Sequence, residues 1–172
     1  MHKYRFFLRL RRTAMSLMTV GLVVVIVACS SIDCPLNNTV YTNYKVMKTE
    51  TQPDTLKDTL TIWTSRPGMT DSIIVNRNLN TTALKLPISY MNDKDVLFFQ
   101  FKTQDGGVCV DTVTVSKTNT PHFESVDCSP NYFHEITGIM STHNRIDSIV
   151  IMNKTVNYDA KDNFYIYFKR NN

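Results

Sequence analysis

The sequence predicts an all-β chain: a single antiparallel β-sandwich, immunoglobulin-like, with a small lipocalin-like barrel as the alternative. Three observations point there. Beyond residue 54 the chain is a series of short runs in which apolar and polar residues alternate with period two, broken by turn residues. The part beyond residue 28 is rich in Thr, Asn, Val, Ile, Tyr and Phe and holds only four of the five glycines, a composition that favours strands. No long stretch of helical period occurs in it.

The elements follow in order. Ser30 to about Asp54 is polar, with Tyr41, Tyr44, Val46 and Met47 spaced through it, and reads as a short tether and then one strand. Leu60 and Ile62 alternate with Thr59, Thr61 and Trp63. Leu84, Leu86 and Ile88 alternate with Lys85, Pro87 and Ser89, and Pro87, which has no N–H for a ladder, marks an edge strand. Leu97, Phe99 and Phe101 form an apolar face opposite Val96, Phe98, Gln100 and Lys102. Val113 and Val115 follow the Asp105-Gly106-Gly107 turn. A short helix is expected around Asn131 to Ile136, started by Ser129-Pro130. Ile149 and Ile151 follow a polar loop at Thr142 to Arg145. Phe164, Ile166 and Phe168 close the chain, with Tyr165 and Tyr167 facing away. Asn157 to Asn163 reads as a hairpin connection between the last two strands. Eight or nine strands result, enough for a sandwich or barrel.

The N-terminus is of another kind. Lys3, Arg5, Arg9, Arg11 and Arg12 precede an uncharged run from Met15 to Val27. That run is too short for a bilayer, which needs about 20 apolar residues, and it suits the apolar region of a signal peptide. Ile26-Val27-Ala28-Cys29 resembles the lipobox of bacterial lipoprotein signals, with small Ala28 at the cleavage point. The resemblance implies that Cys29 receives a diacylglycerol and becomes the first residue of the mature protein. The organisation expected is a signal peptide over 1–28, a lipidated tether over 29–38 and a β-sandwich domain over 39–172. Acyl chains on one cysteine give stable membrane anchoring at about 0.8 kcal/mol per buried CH₂. Ser30 rather than Asp after Cys29 favours the outer membrane, with the domain facing periplasm or cell surface.

Removing the signal changes the charge. It takes five of the 19 basic residues and none of the 15 acidic ones, which leaves 14 against 15 on the mature chain. The electrostatic basis for nucleic-acid binding disappears with it. Glycine loops of the dinucleotide or P-loop type are absent, so no cofactor is expected.

A triplet of Asp, then Thr or Ser, then an apolar residue recurs at Asp54, Asp58, Asp71, Asp111 and Asp147. Asp tolerates turns, and Thr or Ser leads into strands, which accounts for the triplet locally. It also resembles the acceptor motif for periplasmic O-glycosylation in Bacteroidetes-type bacteria. That resemblance makes Thr55, Thr59, Ser72, Thr112 and Ser148 acceptor candidates.

With Cys29 lipidated, Cys34, Cys109 and Cys128 remain in an oxidising compartment. Cys109 shares a strand face with Val113 and Val115 and reads as a small buried hydrophobe. Cys34 and Cys128 sit in polar, proline-flanked surroundings, which favours a Cys34–Cys128 bridge, with Cys109–Cys128 the alternative. A 94-residue loop closed by Cys34–Cys128 adds roughly 4–5 kcal/mol in the chain-entropy picture.

His122 with Glu124 and His134 with Glu135 are the only His/acid clusters, and neither has the spacing of a known metal set. No Gly-x-Ser-x-Gly elbow and no marked carboxylate pair is present. The expectation is therefore no metal, no catalytic set and no enzyme. Tyr165 and Tyr167 are candidates for a sugar platform, against ordinary cross-strand pairing.

Residues Ser31 to Asn38 (Ser-Ile-Asp-Cys-Pro-Leu-Asn-Asn) and Pro121 to Cys128 (Pro-His-Phe-Glu-Ser-Val-Asp-Cys) resemble a family of small Bacteroidetes-type lipoproteins with no assigned function. The resemblance implies an envelope location and agrees with pairing Cys34 with Cys128. The function expected is a non-enzymatic envelope lipoprotein acting as a protein-interaction or structural module, or a glycan- or small-ligand-binding one. Its partners would be the membrane, through Cys29, and an envelope protein or glycan.

Overall fold

The structure is a computed structural model that describes residues 39–65, 68 and 70–170. The signal peptide, Cys29 and Cys34 lie outside the described residues. The strands are β1 (Tyr41–Val46), β2 (Thr59–Thr64), β3 (Ser72–Asn78), β4 (Ala83–Pro87), β5 (Lys94–Lys102), β6 (Val108–His122), β7 (Asn131–Ser141), β8 (Ile146–Ile151), β9 (Thr155–Val156) and β10 (Phe164–Phe168). No helix occurs among the described residues.

Two sheets form the body: β4-β1-β10-β8, and β3-β2-β5-β6-β7-β9. Their core is the set of inward faces that alternation demands. Leu60 and Ile62, then Leu97, Phe99 and Phe101, then Val113, Val115 and Ile136 come from the larger sheet. Tyr44, Val46, Leu84, Leu86, Ile146, Phe164 and Ile166 come from the smaller. Tyr44 stacks on Phe164 at 4.6 Å between ring centroids and tilts against Phe99 at 6.4 Å, so aromatic contacts join the two sheets. The all-β sandwich predicted from alternation is thus the architecture observed, and β4, carrying Pro87, is an edge strand.

Four local expectations are corrected. The chain is not wholly antiparallel: β1 lies parallel to β10, with Tyr44 opposite Phe164, because it is inserted between β10 and β4 from far away in sequence. Asn131 to Ile136 is the start of β7, not a helix. It pairs with the distal half of β6, and ladder bonds to a strand already in place outweigh the weak local start signal. Asn157 to Asn163 joins β9 and β10, which lie in different sheets, so it is a crossover rather than a hairpin. Ten strands form rather than eight or nine, because the segment that opens β7 and the short β9 both pair.

Candidate functional site

Two polar clusters are built into opposite ends of the β5–β6 pair. At the hairpin end, Asp111 is fully buried beneath the β7–β8 turn. Its carboxylate accepts the backbone N–H groups of Asn144 (2.5 Å), Arg145 (2.7 Å) and Ile146 (2.8 Å), and the Thr142 hydroxyl (2.8 Å). Burial works to raise its pKa, but the four donors outweigh that and hold the carboxyl below its ordinary range. The turn so fixed presents Arg145, whose Nε donates to the buried Asp58 at 2.6 Å and whose Nη1 donates to the Lys169 carbonyl.

At the other end, β4 stops at Pro87 and the chain loops through 88–93 before β5. Ser89 holds that loop: its N–H donates to Asp95 at 3.0 Å, and its hydroxyl accepts the Met91 N–H at 3.2 Å. Lys117, on the inward face of β6, has no exposed side chain. Its ammonium lies 3.4 Å from Asp95 and donates to the Asn92 carbonyl. Asn119 donates to the same carbonyl at 3.1 Å and accepts from His134 Nδ1 at 2.7 Å. With Nδ1 as the donor, neutral His134 keeps Nε2 as an acceptor. Desolvation first, and the Lys117 charge second, lower the His134 pKa from 6.5 to about 4, so the ring is uncharged near neutrality.

This second cluster forms one wall of a cleft of about 1060 Å³. Val40, Ile74, Ile88 and Leu97 supply its apolar lining, and Ser89, Asn92, Asp95, Asn131 and His134 its polar groups. Tyr90 and Tyr132, also lining it, stack at 5.0 Å with planes 18° apart, and Tyr90 is 58% exposed. No Lys or Arg is found among its described lining residues. In the core, burial drives the pKa of the Tyr44 hydroxyl well above its usual value, against a smaller opposing effect of the neighbouring Thr42 hydroxyl.

Of the residues singled out from sequence, His134 is in the cleft wall, whereas Glu135 bonds the Thr155 hydroxyl at 3.2 Å. His122 lies 3.3 Å from Glu124 and stacks on Phe133 at 4.2 Å, with Tyr158 edge-on to Phe133. Among the described residues no group of three His, Cys, Asp or Glu side chains is placed to hold a metal. Tyr165 sits opposite Lys45, whose ammonium lies 6.0 Å from the ring, so its outward face is shared with a cross-strand cation. Cys109 is a free thiol with its pKa raised by burial and by Asp111, and Cys128 is disulfide-bonded. The alternative Cys109–Cys128 bridge is therefore excluded; Cys34 lies outside the described residues. Thr55, Ser72 and Ser148 follow exposed aspartates, and Thr59 and Thr112 follow the buried Asp58 and Asp111. Lys117, Asn119, Tyr90 and Tyr132 were not singled out from sequence. Nothing local marks them, since 42 residues separate the two stacked tyrosines.

The family of unknown function DUF6452 matches residues 59–168, which hold β2 through β10. No curated protein and no solved structure matches the chain.

Proposed function

This chain belongs to the DUF6452 family of unknown function, and on that premise we propose that it is a non-enzymatic, lipid-anchored binding protein of the cell envelope whose cleft holds a small ligand. The observation that carries the reading is the cleft itself. It joins an apolar lining to a few fixed polar groups and a partly exposed aromatic pair, the usual make-up of a small-molecule site. Binding rather than catalysis is favoured because the ionisable groups there are already engaged: Asp95 with Lys117 and Ser89, His134 with Asn119. The anchor at Cys29 rests on the basic, apolar, small-residue order of the N-terminus, and the outer-membrane location on Ser30, rather than Asp, after Cys29. Cys34 is the proposed partner of Cys128.

Native mass spectrometry of the protein released from its own envelope tests the reading. A bound small molecule lost on Tyr132→Ala is expected; the native protein found at its own ligand-free mass would refute it. A second reading, a protein-interaction module, draws on one observation. Ile73, Trp63 and Phe98 form a cross-strand row on the outer face of the larger sheet, with Trp63 stacked on Phe98 at 5.5 Å and Ile73 61% exposed. Cross-linking in the native envelope, with and without Trp63→Ser, separates the two.

O-glycosylation is part of the same proposal. A transferase acting on the folded domain reaches the triplets with exposed aspartates, so modification is expected at Thr55, Ser72 or Ser148 and not at Thr59 or Thr112. Peptide mapping of the native protein decides this.

A further inference from the structure

We infer that the cleft takes an uncharged saccharide, held against Tyr90; this rests on the small-ligand reading above and names the ligand class. Three features converge.

The first is charge. The described lining residues include one carboxylate, Asp95, and it is neutralised by Lys117 at 3.4 Å; no Lys or Arg accompanies it. A phosphate, carboxylate or sulfate would meet no free cation among the described lining residues, would lie beside a carboxylate, and would leave its own charge unpaired. A cationic ligand would meet an Asp95 already satisfied. The ligand with least penalty is neutral.

The second is hydrogen-bond character. His134 is held with Nδ1 donating to Asn119, which leaves Nε2 as an acceptor. The Asn92 side chain, and the Ser89 and Tyr132 hydroxyls, add groups that both donate and accept. A hydroxyl is donor and acceptor at once, so neighbouring sugar hydroxyls suit a wall that offers both kinds of group. A purely apolar ligand such as a fatty acyl chain would leave them unpaired.

The third is the aromatic pair. Tyr132 covers one face of Tyr90 in a near-parallel stack, and the 58% exposure of Tyr90 leaves a rigid apolar surface at the cleft. Pyranose rings present flat C–H faces between their equatorial hydroxyls, and such a face packs against an exposed aromatic ring. Tyr90 also sits in the loop that Ser89, Asn92 and Lys117 hold in place, so its ring is positioned before the ligand arrives.

The test is titration calorimetry of the mature protein without its lipid. The probes are neutral oligosaccharides (glucose, mannose, galactose and N-acetylglucosamine series), uronic-acid and sulfated oligosaccharides, and dodecanoate. Tyr90→Ala and Tyr90→Phe are measured alongside, with thermal melts to show that both are folded. At least one neutral series is expected to bind; Tyr90→Ala weakens it about tenfold or more, and Tyr90→Phe, which keeps the ring, changes it by a few-fold at most. Binding of acidic sugars alone, or of dodecanoate alone, with loss in Tyr90→Ala, overturns the saccharide assignment and leaves the cleft as a ligand site. No binding by any probe also overturns the assignment, and the native mass measurement then decides the cleft reading by itself. Neutral-sugar binding unaffected by Tyr90→Ala refutes the placement against Tyr90.

Discussion

Asp111 and Lys117 lie six residues apart on the same face of β6, about 20 Å along the strand, and both are buried ions. Their surroundings differ. Asp111 collects four donors from one tight turn. Lys117 has one carboxylate and one carbonyl, and its neighbours Asp95, Asn92 and His134 all border open space. The hairpin end spends its buried charge on rigidity. The cleft end uses a similar cost to hold a loop beside a cavity.

The largest expected effect is at the closed end. Asp111→Ala strands three backbone N–H groups beneath the β7–β8 turn and frees the turn that carries Arg145, leaving Asp58 short of its partner. A loss of about 3–4 kcal/mol is expected from denaturant melts. The comparison breaks if Asp111→Ala costs less than the substitution at the open end.

That substitution is Lys117→Met, which keeps the apolar stem and removes the ammonium. Asp95 then loses its counter-ion but keeps the Ser89 N–H, and its side chain, 14% exposed, can recruit water from the cleft. A smaller loss, about 2 kcal/mol, is expected, together with faster amide exchange at Asn92 and in the loop around Tyr90. Unchanged exchange there would show that Lys117 holds the core and not the loop.

The closed end was half legible in the sequence. The Asp-Thr-Val triplet at Asp111 stands out, and the alternation around it correctly gives the inward faces of β2, β5 and β6. What it caps lies 31 to 35 residues away, so the triplet carries no mark of its partner. The open end was not legible. Lys117 is a charged residue at an inward position, which alternation alone assigns to the core without giving it an ion partner. The start of β7 misleads, because Tyr132, Phe133 and Ile136 have a spacing that also suits a helix, and only pairing with β6 settles the matter. β1 fails for a related reason: its parallel partner β10 is more than a hundred residues distant, and no turn signal encodes such a pairing.

The finest contrast between the ends is in their response to acid. Asp111 has a lowered folded pKa, so its contribution is present above its ordinary 3.8 and is lost only as pH falls below that value, through the still lower folded one. His134 acts over a higher window. Its pKa falls from 6.5 unfolded to about 4 folded, so between those values the unfolded chain binds a proton that the folded chain refuses. Stability from this site is complete above pH 6.5 and declines as pH drops towards 4, by at most about 1.4 kcal/mol per pH unit. His134→Gln removes the titration while keeping a side chain able to bond Asn119, and should flatten the stability profile over that window, leaving the steeper fall below pH 4 intact. A profile unchanged by His134→Gln would mean that the ring takes its proton as readily folded as unfolded, and the cleft wall would then be charged when a ligand meets it in mild acid.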